Sequence, residues 1–165
     1  MKKHKKQNKK RGFSLIELLI VVAIILIIAA IAIPNLLRSR IAANEASAVG
    51  SLRTLNTAEI TYNTTYPNVG FACSLGQLGG SGSGTATSGA AGLIDANLAS
   101  GVKSGYSFSF LGSSCTGTPA PAYSTYAAPV TLGTTGQRYF CSDSSGVIQY
   151  GTTTISACGT STNPI

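Results

Sequence analysis

The longest apolar run of the chain lies near its amino terminus. Residues 18–33 include no polar side chain, and among residues 13–33 the single charged side chain is Glu17. An α-helix rises about 1.5 Å per residue, so this segment is long enough to cross the hydrocarbon core of a bilayer. A carboxylate within lipid is unfavourable by several kcal/mol unless a partner is supplied. The pattern therefore predicts a membrane-length helix in which Glu17 needs a partner.

The apolar run continues into an amphipathic segment. Apolar side chains recur there mostly at three- and four-residue offsets, the spacing of one helical face: Leu37, Ile41, Val49, Leu52, Leu55 and Ile60. Polar side chains are expected on the opposite, solvent-exposed face: Arg38, Arg40, Asn44, Glu45, Arg53, Asn56 and Glu59. We predict one helix from Phe13 to about Thr64, ending before Pro67. It should kink or unwind at Pro34, because proline removes a backbone donor and clashes with the preceding turn. The part up to about Arg40 has nothing in the chain to pack against, whereas the later part should lie across a sheet.

The segment that follows the helix, residues 67–104, has the composition of a connection. Residues 76–84 are rich in glycine and serine and are typical of a flexible, exposed linker. Residues 93–100 can form a short helix, with Gly101 just past its end.

The carboxy-terminal part has the patterns of β-strands. Residues 106–110 alternate strictly, with an aromatic side chain at every second position, which is typical of a half-buried strand. Residues 122–127 are a weaker candidate between prolines. Residues 137–142 and 147–151 flank a segment with turn chemistry, residues 143–146, and predict a hairpin. A long helix packed on such a meander gives an α+β architecture.

The positive charge of the chain is concentrated at its start. The formal net charge is +7, and residues 2–11 contribute seven basic side chains, whereas residues 13–165 carry five of each sign. A basic segment followed by an apolar run is how a secretory signal begins, with the charged end toward the cytoplasm. A basic arm for DNA is the alternative, but no aromatic or arginine-rich groove accompanies it, so DNA binding is not indicated.

The side chains needed for catalysis are scarce. His4 is the single histidine and lies within the basic segment. Without that segment the chain has no histidine for acid–base catalysis or zinc binding, and the sequence offers no carboxylate pair or Cys–His arrangement. We expect no enzymatic activity, no cofactor and no metal site.

The junction between the basic and apolar segments carries a recognisable motif. Residues 10–25 have the sequence KRGFSLIELLIVVAII, which resembles the amino-terminal signature of type IV pilins and of the related pseudopilins of type II secretion. The resemblance implies that a prepilin peptidase cuts between Gly12 and Phe13 and methylates the amino group of Phe13. It also implies that Glu17 faces the amino terminus of Phe13 in a neighbouring subunit. Pro34 would be the place of local unwinding in the filament, although residues 25–28 lack the glycine that many members have there.

Four cysteines, Cys73, Cys115, Cys141 and Cys158, all follow the apolar helix. No pair has Cys-x-x-Cys spacing, so disulfides formed outside the cytoplasm fit better than a zinc or thioredoxin-like site. Three connectivities are possible. The resemblance to pilins, which often close their carboxy-terminal region with a bridge, favours Cys141–Cys158 together with Cys73–Cys115.

The resemblance implies a pilin fold and a division into a cleaved leader (residues 1–12), a membrane or filament-core helix (13–40) and a globular head (41–165). Within the head, residues 67–104 correspond to the αβ-loop and residues 105–165 to the sheet and disulfide-closed region. The expected function is that of a subunit in a helical homopolymer used for adhesion, motility or DNA uptake. Its partners would be identical subunits, the prepilin peptidase, the pilus assembly machinery and, before assembly, the bacterial inner membrane. The alternatives are the major pseudopilin of a type II secretion system, which would be periplasmic, and a monomeric membrane-anchored binding domain. A calcium site of the pseudopilin kind is disfavoured, since Asp143 is the single acidic residue in the carboxy-terminal loops.

Overall fold

The computed structural model describes residues 12–80, 84–112, 115, 117–159 and 162–165. The helices are α1 (Leu15–Thr65), α2 (Leu75–Leu78) and α3 (Ala96–Ala99). The strands are β1 (Val102–Lys103), β2 (Tyr106–Phe110), β3 (Ser124–Pro129), β4 (Tyr139–Asp143), β5 (Ile148–Gly151) and β6 (Asn163–Pro164). In the described part of the chain these six strands form one antiparallel sheet in sequential order. The predicted α+β architecture, one long amino-terminal helix followed by an antiparallel sheet, is confirmed.

The chain divides into two compact units, with the boundary between Arg38 and Ser39. The described part of the first unit is the beginning of α1, and its large apolar side chains are all exposed. The helix continues through Pro34. Unwinding at this proline in an assembled filament stays a prediction.

The second unit is built around the later part of α1, which packs on one face of the sheet. Leu52, Leu55 and Tyr62 of α1 share a buried core with Tyr106 and Phe140 of the sheet. The predicted alternation in β2 is confirmed, because the aromatic side chains at every second position point into this core. Apolar burial of this kind is the main favourable contribution to folding of such a domain.

The predicted exposed face of the amphipathic helix is partly wrong. Glu45, Asn56 and Glu59 are buried, whereas Ile60, predicted on the packed face, is 60% exposed. The packed positions follow alternating four- and three-residue steps, which is the spacing of a helix seam: residues 41, 45, 48, 52, 55, 59 and 62. Backbone N–H groups of later segments donate to both glutamates at these seam positions, two to Glu45 and one to Glu59.

The connecting region is more ordered than its composition predicts. Residues 75–78, placed largely in a linker, form α2, which Ser74 caps by accepting a hydrogen bond from the Gln77 N–H. Leu78 is completely buried, and residues 81–83 of the predicted linker lie outside the described residues. The short helix predicted over residues 93–100 is confirmed but is confined to α3, with Asp95 as its amino-terminal cap.

The strand predictions hold with shifted ends. The candidate at residues 122–127 is β3, which begins at Ser124 and continues to Pro129. The predicted hairpin is formed by β4 and β5, and its turn is closed by a hydrogen bond from the Gly146 N–H to the Asp143 carbonyl. The sequence did not predict the two-residue strands β1 and β6, because such short segments carry no alternation.

Candidate functional site

The predicted processing and assembly residues lie at the start of α1. Gly12, Phe13 and Ser14 precede the helix, Glu17 is in its first turn, and the Phe13 side chain is 82% exposed. Apart from Gly12, the predicted leader lies outside the described residues.

Glu17 has a hydrogen-bond partner within its own helix. The backbone N–H of Ser14, the residue before the helix, donates to Glu17 Oε2 at 2.9 Å. Serine before the first helical residue and glutamate three positions later are the two members of a capping box, in which the carboxylate satisfies a free N–H of the helix end. A negative charge in the first turn also interacts favourably with the helix dipole. In the single chain, Glu17 thus caps the amino terminus of α1.

The helical surface that follows Glu17 is apolar on all sides and exposed. Phe13 and every leucine, isoleucine and valine through Leu37 is at least 44% exposed in the single chain. Among the described residues, α1 is the one helix long and apolar enough to cross a membrane, by length and composition. A polymer of such helices or a bilayer would remove this surface from water.

In the head, Glu45 attaches α1 to the start of β4. One of its carboxylate oxygens accepts from the backbone N–H groups of Gln137 (2.9 Å) and Arg138 (3.2 Å). The other accepts from Arg138 Nε at 2.8 Å and pairs with its terminal nitrogen at 2.7 Å. The guanidinium also lies over the rings of Phe140 and Tyr150, at 5.5 and 5.3 Å from their centroids.

Glu59 attaches α1 to the segment after its carboxyl end. Its Oε2 accepts from the Ala72 N–H at 2.8 Å, and its Oε1 is buried with no hydrogen-bond partner among the described residues. Burial raises the pKa of Glu59 from 4.5 to about 8, against the opposing effect of the Ala72 hydrogen bond. Burial, with the Glu59 charge as a smaller contribution, also raises the pKa of Tyr123 to about 12.

Two disulfides close the head, Cys73–Cys115 and Cys141–Cys158. This is the pairing that the resemblance to pilins favours among the three possible ones. The first bridge holds the segment after α1, and the second holds the carboxy-terminal segment against β4. Gln149 of β5 also accepts a hydrogen bond from the Gly159 N–H at 2.7 Å. Within the described residues, no three His, Cys, Asp or Glu side chains form a candidate metal site.

Sequence reasoning found the residues of the amino-terminal segment and the cysteines but missed the attachment role of Glu45 and Glu59. The signal that could have found them is the four-three spacing of the seam, which passes through both glutamates. An acidic residue at a seam position indicates a buried carboxylate with its own hydrogen-bond donors.

Comparisons with known proteins agree with the amino-terminal motif. The family described as the prokaryotic N-terminal methylation motif matches residues 7–33. The chain is 48% identical over 54 residues to the type IV major pilin protein PilA of Myxococcus xanthus (strain DK1622). That alignment covers 33% of this chain and 24% of the relative, so the chain matches about a quarter of the relative's length. No solved structure matches significantly. Over its first third, the chain is thus similar to a type IV major pilin, and it carries the prokaryotic N-terminal methylation motif at the start of a long helix that an antiparallel sheet follows.

Proposed function

We propose that this chain is a structural subunit that polymerises into a type IV pilus-like filament after cleavage between Gly12 and Phe13. The observation that carries the proposal is the exposed apolar surface of the first part of α1, which begins directly after the processing motif. Residues 13–40 would lie in the inner membrane before assembly and in the filament core afterwards. Residues 41–165 would form the head outside the cytoplasm, where the two disulfides are stable. The role is structural rather than enzymatic.

Assembly changes the partners of Glu17. Cleavage creates a positively charged amino group on Phe13, and the carboxylate that caps α1 in the single chain would pair with this group of a neighbouring subunit. An unpaired charge in an apolar environment is costly, and a matched pair relieves that cost. The pairing also sets the axial register of neighbouring helices, and Pro34 would be the point at which α1 unwinds to fit the filament. Identical subunits, the prepilin peptidase and the assembly machinery are the proposed partners.

The first experiment identifies the mature protein in surface filaments. Filaments sheared from cells are purified, and the amino terminus of their main component is determined by mass spectrometry. A component that begins with methylated Phe13 supports the proposal. Retention of the processed chain in the cell envelope, without its appearance in sheared filaments, would instead identify a pseudopilin or a membrane-anchored domain. Motility, adhesion and DNA-uptake assays on a strain without the chain then distinguish the possible uses of the filament.

The second experiment separates the two roles of Glu17. Glu17→Gln keeps an oxygen that can accept from the Ser14 N–H but removes the charge, whereas Glu17→Ala removes both. We expect both variants to be cleaved at Gly12 and both to give strongly reduced filament yield, because the charge pairing is lost in each. Normal filament yield from Glu17→Gln would refute pairing with the Phe13 amino group.

A further inference from the structure

The segment after α1, residues 69–73, is held against the helix by Glu59. The Ala72 N–H donates to Glu59 Oε2 at 2.8 Å, and both residues are completely buried. The segment is also attached on its other side. The Phe71 N–H donates to the Ala120 carbonyl at 3.1 Å, and the Ala120 N–H donates to the Val69 carbonyl at 2.8 Å. The Val69 and Gly70 N–H groups also donate to the carbonyl of Tyr66, directly after α1. With the bridge from Cys73, these contacts hold the segment on several sides, and Glu59 provides its side-chain hydrogen bond to α1.

Residues 69–73 are closely packed, so the backbone around the Glu59–Ala72 hydrogen bond has little room to rearrange. Gly70 has a φ of +83°, and a Cβ at this position would collide with the backbone of Ala120. The Phe71 ring packs on the Tyr123 ring with a centroid distance of 5.0 Å.

Among the described residues, no basic side chain pairs with Glu59. The titratable side chains near it are Tyr62, one turn later on α1, and Tyr123, just before β3, and the Glu59 charge raises the pKa of both tyrosines. Asp143, at the end of β4, acts on Tyr123 in the same direction. All of these groups are acids. In the described residues the two salt bridges involve Asp95 and Glu45, not Glu59.

This geometry favours the neutral carboxylic acid. An ionised Glu59 would place negative charge on a buried Oε1 that has no donor among the described residues. The penalty for an unpaired buried carboxylate exceeds that for an unpaired buried hydroxyl by several kcal/mol. The single N–H of Ala72 is one donor for a group that accepts several hydrogen bonds when ionised.

We propose that residues 69–73 are held to α1 by the neutral form of Glu59, and that opening of this segment releases one proton from that residue. In the open state the carboxyl group meets water and ionises as an ordinary glutamate does. The open state is therefore favoured as the proton concentration falls, and the loop that carries Cys73 loosens as the pH rises from 4.5 to about 8. This pH-dependent opening involves the head alone and does not depend on polymerisation.

The first test is a direct titration of Glu59 in the full-length chain in detergent micelles. The chain contains three glutamates, Glu17, Glu45 and Glu59, so labelling with glutamate carrying ¹³C at the side-chain carboxyl carbon gives three NMR signals. Glu59→Gln and Glu17→Gln each remove one signal and thereby assign it. We expect the Glu59 signal to titrate near pH 8, its shifted pKa. A midpoint in the ordinary carboxyl range would overturn the proposal.

The second test measures opening by amide hydrogen exchange in the same samples. Opening that releases one proton becomes about tenfold more favourable for each pH unit. Protection of residues 69–73, corrected for the intrinsic pH dependence of exchange, should therefore fall about tenfold per unit between the ordinary and the shifted pKa. Protection in β2 and β3 serves as the internal control. In Glu59→Gln, the protection of residues 69–73 should no longer change with pH.

Two outcomes would contradict the coupling between loop and proton. One is wild-type protection of residues 69–73 that does not change with pH, and the other is the same slope in Glu59→Gln as in the wild type. The NMR titration of Glu59 and the pH dependence of exchange are both measured in the wild type, so they do not depend on whether Glu59→Gln folds. For a variant that folds poorly, Glu45→Gln is the matched comparison, since it alters another buried glutamate of α1 and should leave the slope at residues 69–73 unchanged.

Discussion

Replacement of Glu45 by alanine tests whether side chains on the seam of α1 hold the sheet in place. The Glu45 side chain is 8% exposed, and its four hydrogen-bonding contacts are to two backbone N–H groups and two guanidinium nitrogens. The Arg138 side chain is 44% exposed, so its charge can return to water when the carboxylate is lost. The backbone N–H groups of Gln137 and Arg138 have less freedom to do so, because they directly precede β4.

The magnitude follows from these two kinds of contact. Each backbone hydrogen bond to a charged acceptor contributes about 1.5 kcal/mol. The ion pair with a half-exposed arginine contributes at most about 1 kcal/mol after allowance for solvent screening. Glu45→Ala should therefore lower the free energy of unfolding of the head by about 3 kcal/mol. Arg138→Ala leaves the two backbone bonds in place and should cost about 1 to 2 kcal/mol, through the ion pair and the contacts with two aromatic rings.

The assay uses the tyrosine signal in near-ultraviolet circular dichroism during urea unfolding of the full chain in micelles. All seven tyrosines lie between residues 62 and 150, so this signal reports on the head and not on the apolar helix. Glu45→Gln, which keeps an acceptor oxygen, should lie between the wild type and Glu45→Ala. Arg53→Ala, at an exposed position of the same helix, is the control and should change the stability by less than about 0.5 kcal/mol.

The double variant Glu45→Ala with Arg138→Ala completes the cycle. We expect a coupling energy of about 1 kcal/mol between the two side chains. A loss in Arg138→Ala that equals or exceeds the loss in Glu45→Ala would refute the reasoning, because it would mean that the exposed ion pair and not the backbone bonds holds β4.

Three further predictions concern the head. Replacing Cys141 and Cys158 together by serine opens a bridge with a sequence separation of 17 and should lower the stability by about 3 kcal/mol; unfolding of the oxidised wild type and the double variant under the same conditions measures this, and equal midpoints would contradict it. Leu78→Ala empties a completely buried position of α2 and should cost about 3 kcal/mol, whereas Leu132→Ala, at a side chain that is 57% exposed, should be within about 0.5 kcal/mol of the wild type in the same urea titration. Because folded Glu59 keeps a proton that the unfolded chain loses, the free energy of unfolding should fall as the pH rises from 4.5 to about 8, by up to about 1.4 kcal/mol per pH unit. Urea midpoints across this range should show the decline in the wild type and not in Glu59→Gln.

The elements with strong periodicity were predictable from the sequence. The apolar run and the amphipathic segment that follows it predicted α1 with nearly its full length. The aromatic alternation predicted β2, because alternate side chains of a strand point to the same face. The short elements α2, β1 and β6 were not predictable, because two to four residues are too few to show a repeating pattern. The equally short α3 was predicted only as part of residues 93–100, with Gly101 just past its end. Composition was misleading at residues 75–78, where Leu75 and Leu78, each next to a glycine, join the buried core with Leu98 of α3.

The burial of the polar residues of α1 was harder to predict than that of its apolar residues. Sequence reasoning places a glutamate on the solvent face because a lone buried carboxylate is unfavourable. Glu45 is an exception because two backbone N–H groups more than 90 residues away donate to it. Glu59 is an exception because the Ala72 N–H donates to it and burial raises its pKa to about 8, which favours the uncharged acid. A backbone donor carries no sequence signature, so the pairing becomes visible only when the sheet and the loop after α1 are placed.

The three glutamates of α1 have three different environments, and these environments divide the helix by role. Glu17 lies in the exposed first turn, where its charge is available to another chain, whereas Glu45 and Glu59 are turned into the head and bound to segments of their own chain. Substitutions at Glu17 should therefore affect assembly while leaving the unfolding of the head unchanged. Substitutions at Glu45 or Glu59 should change the stability of the head while leaving cleavage at Gly12 unchanged. Measuring both quantities on all three glutamate-to-glutamine variants tests this division directly, and a Glu17 variant with a destabilised head would contradict it.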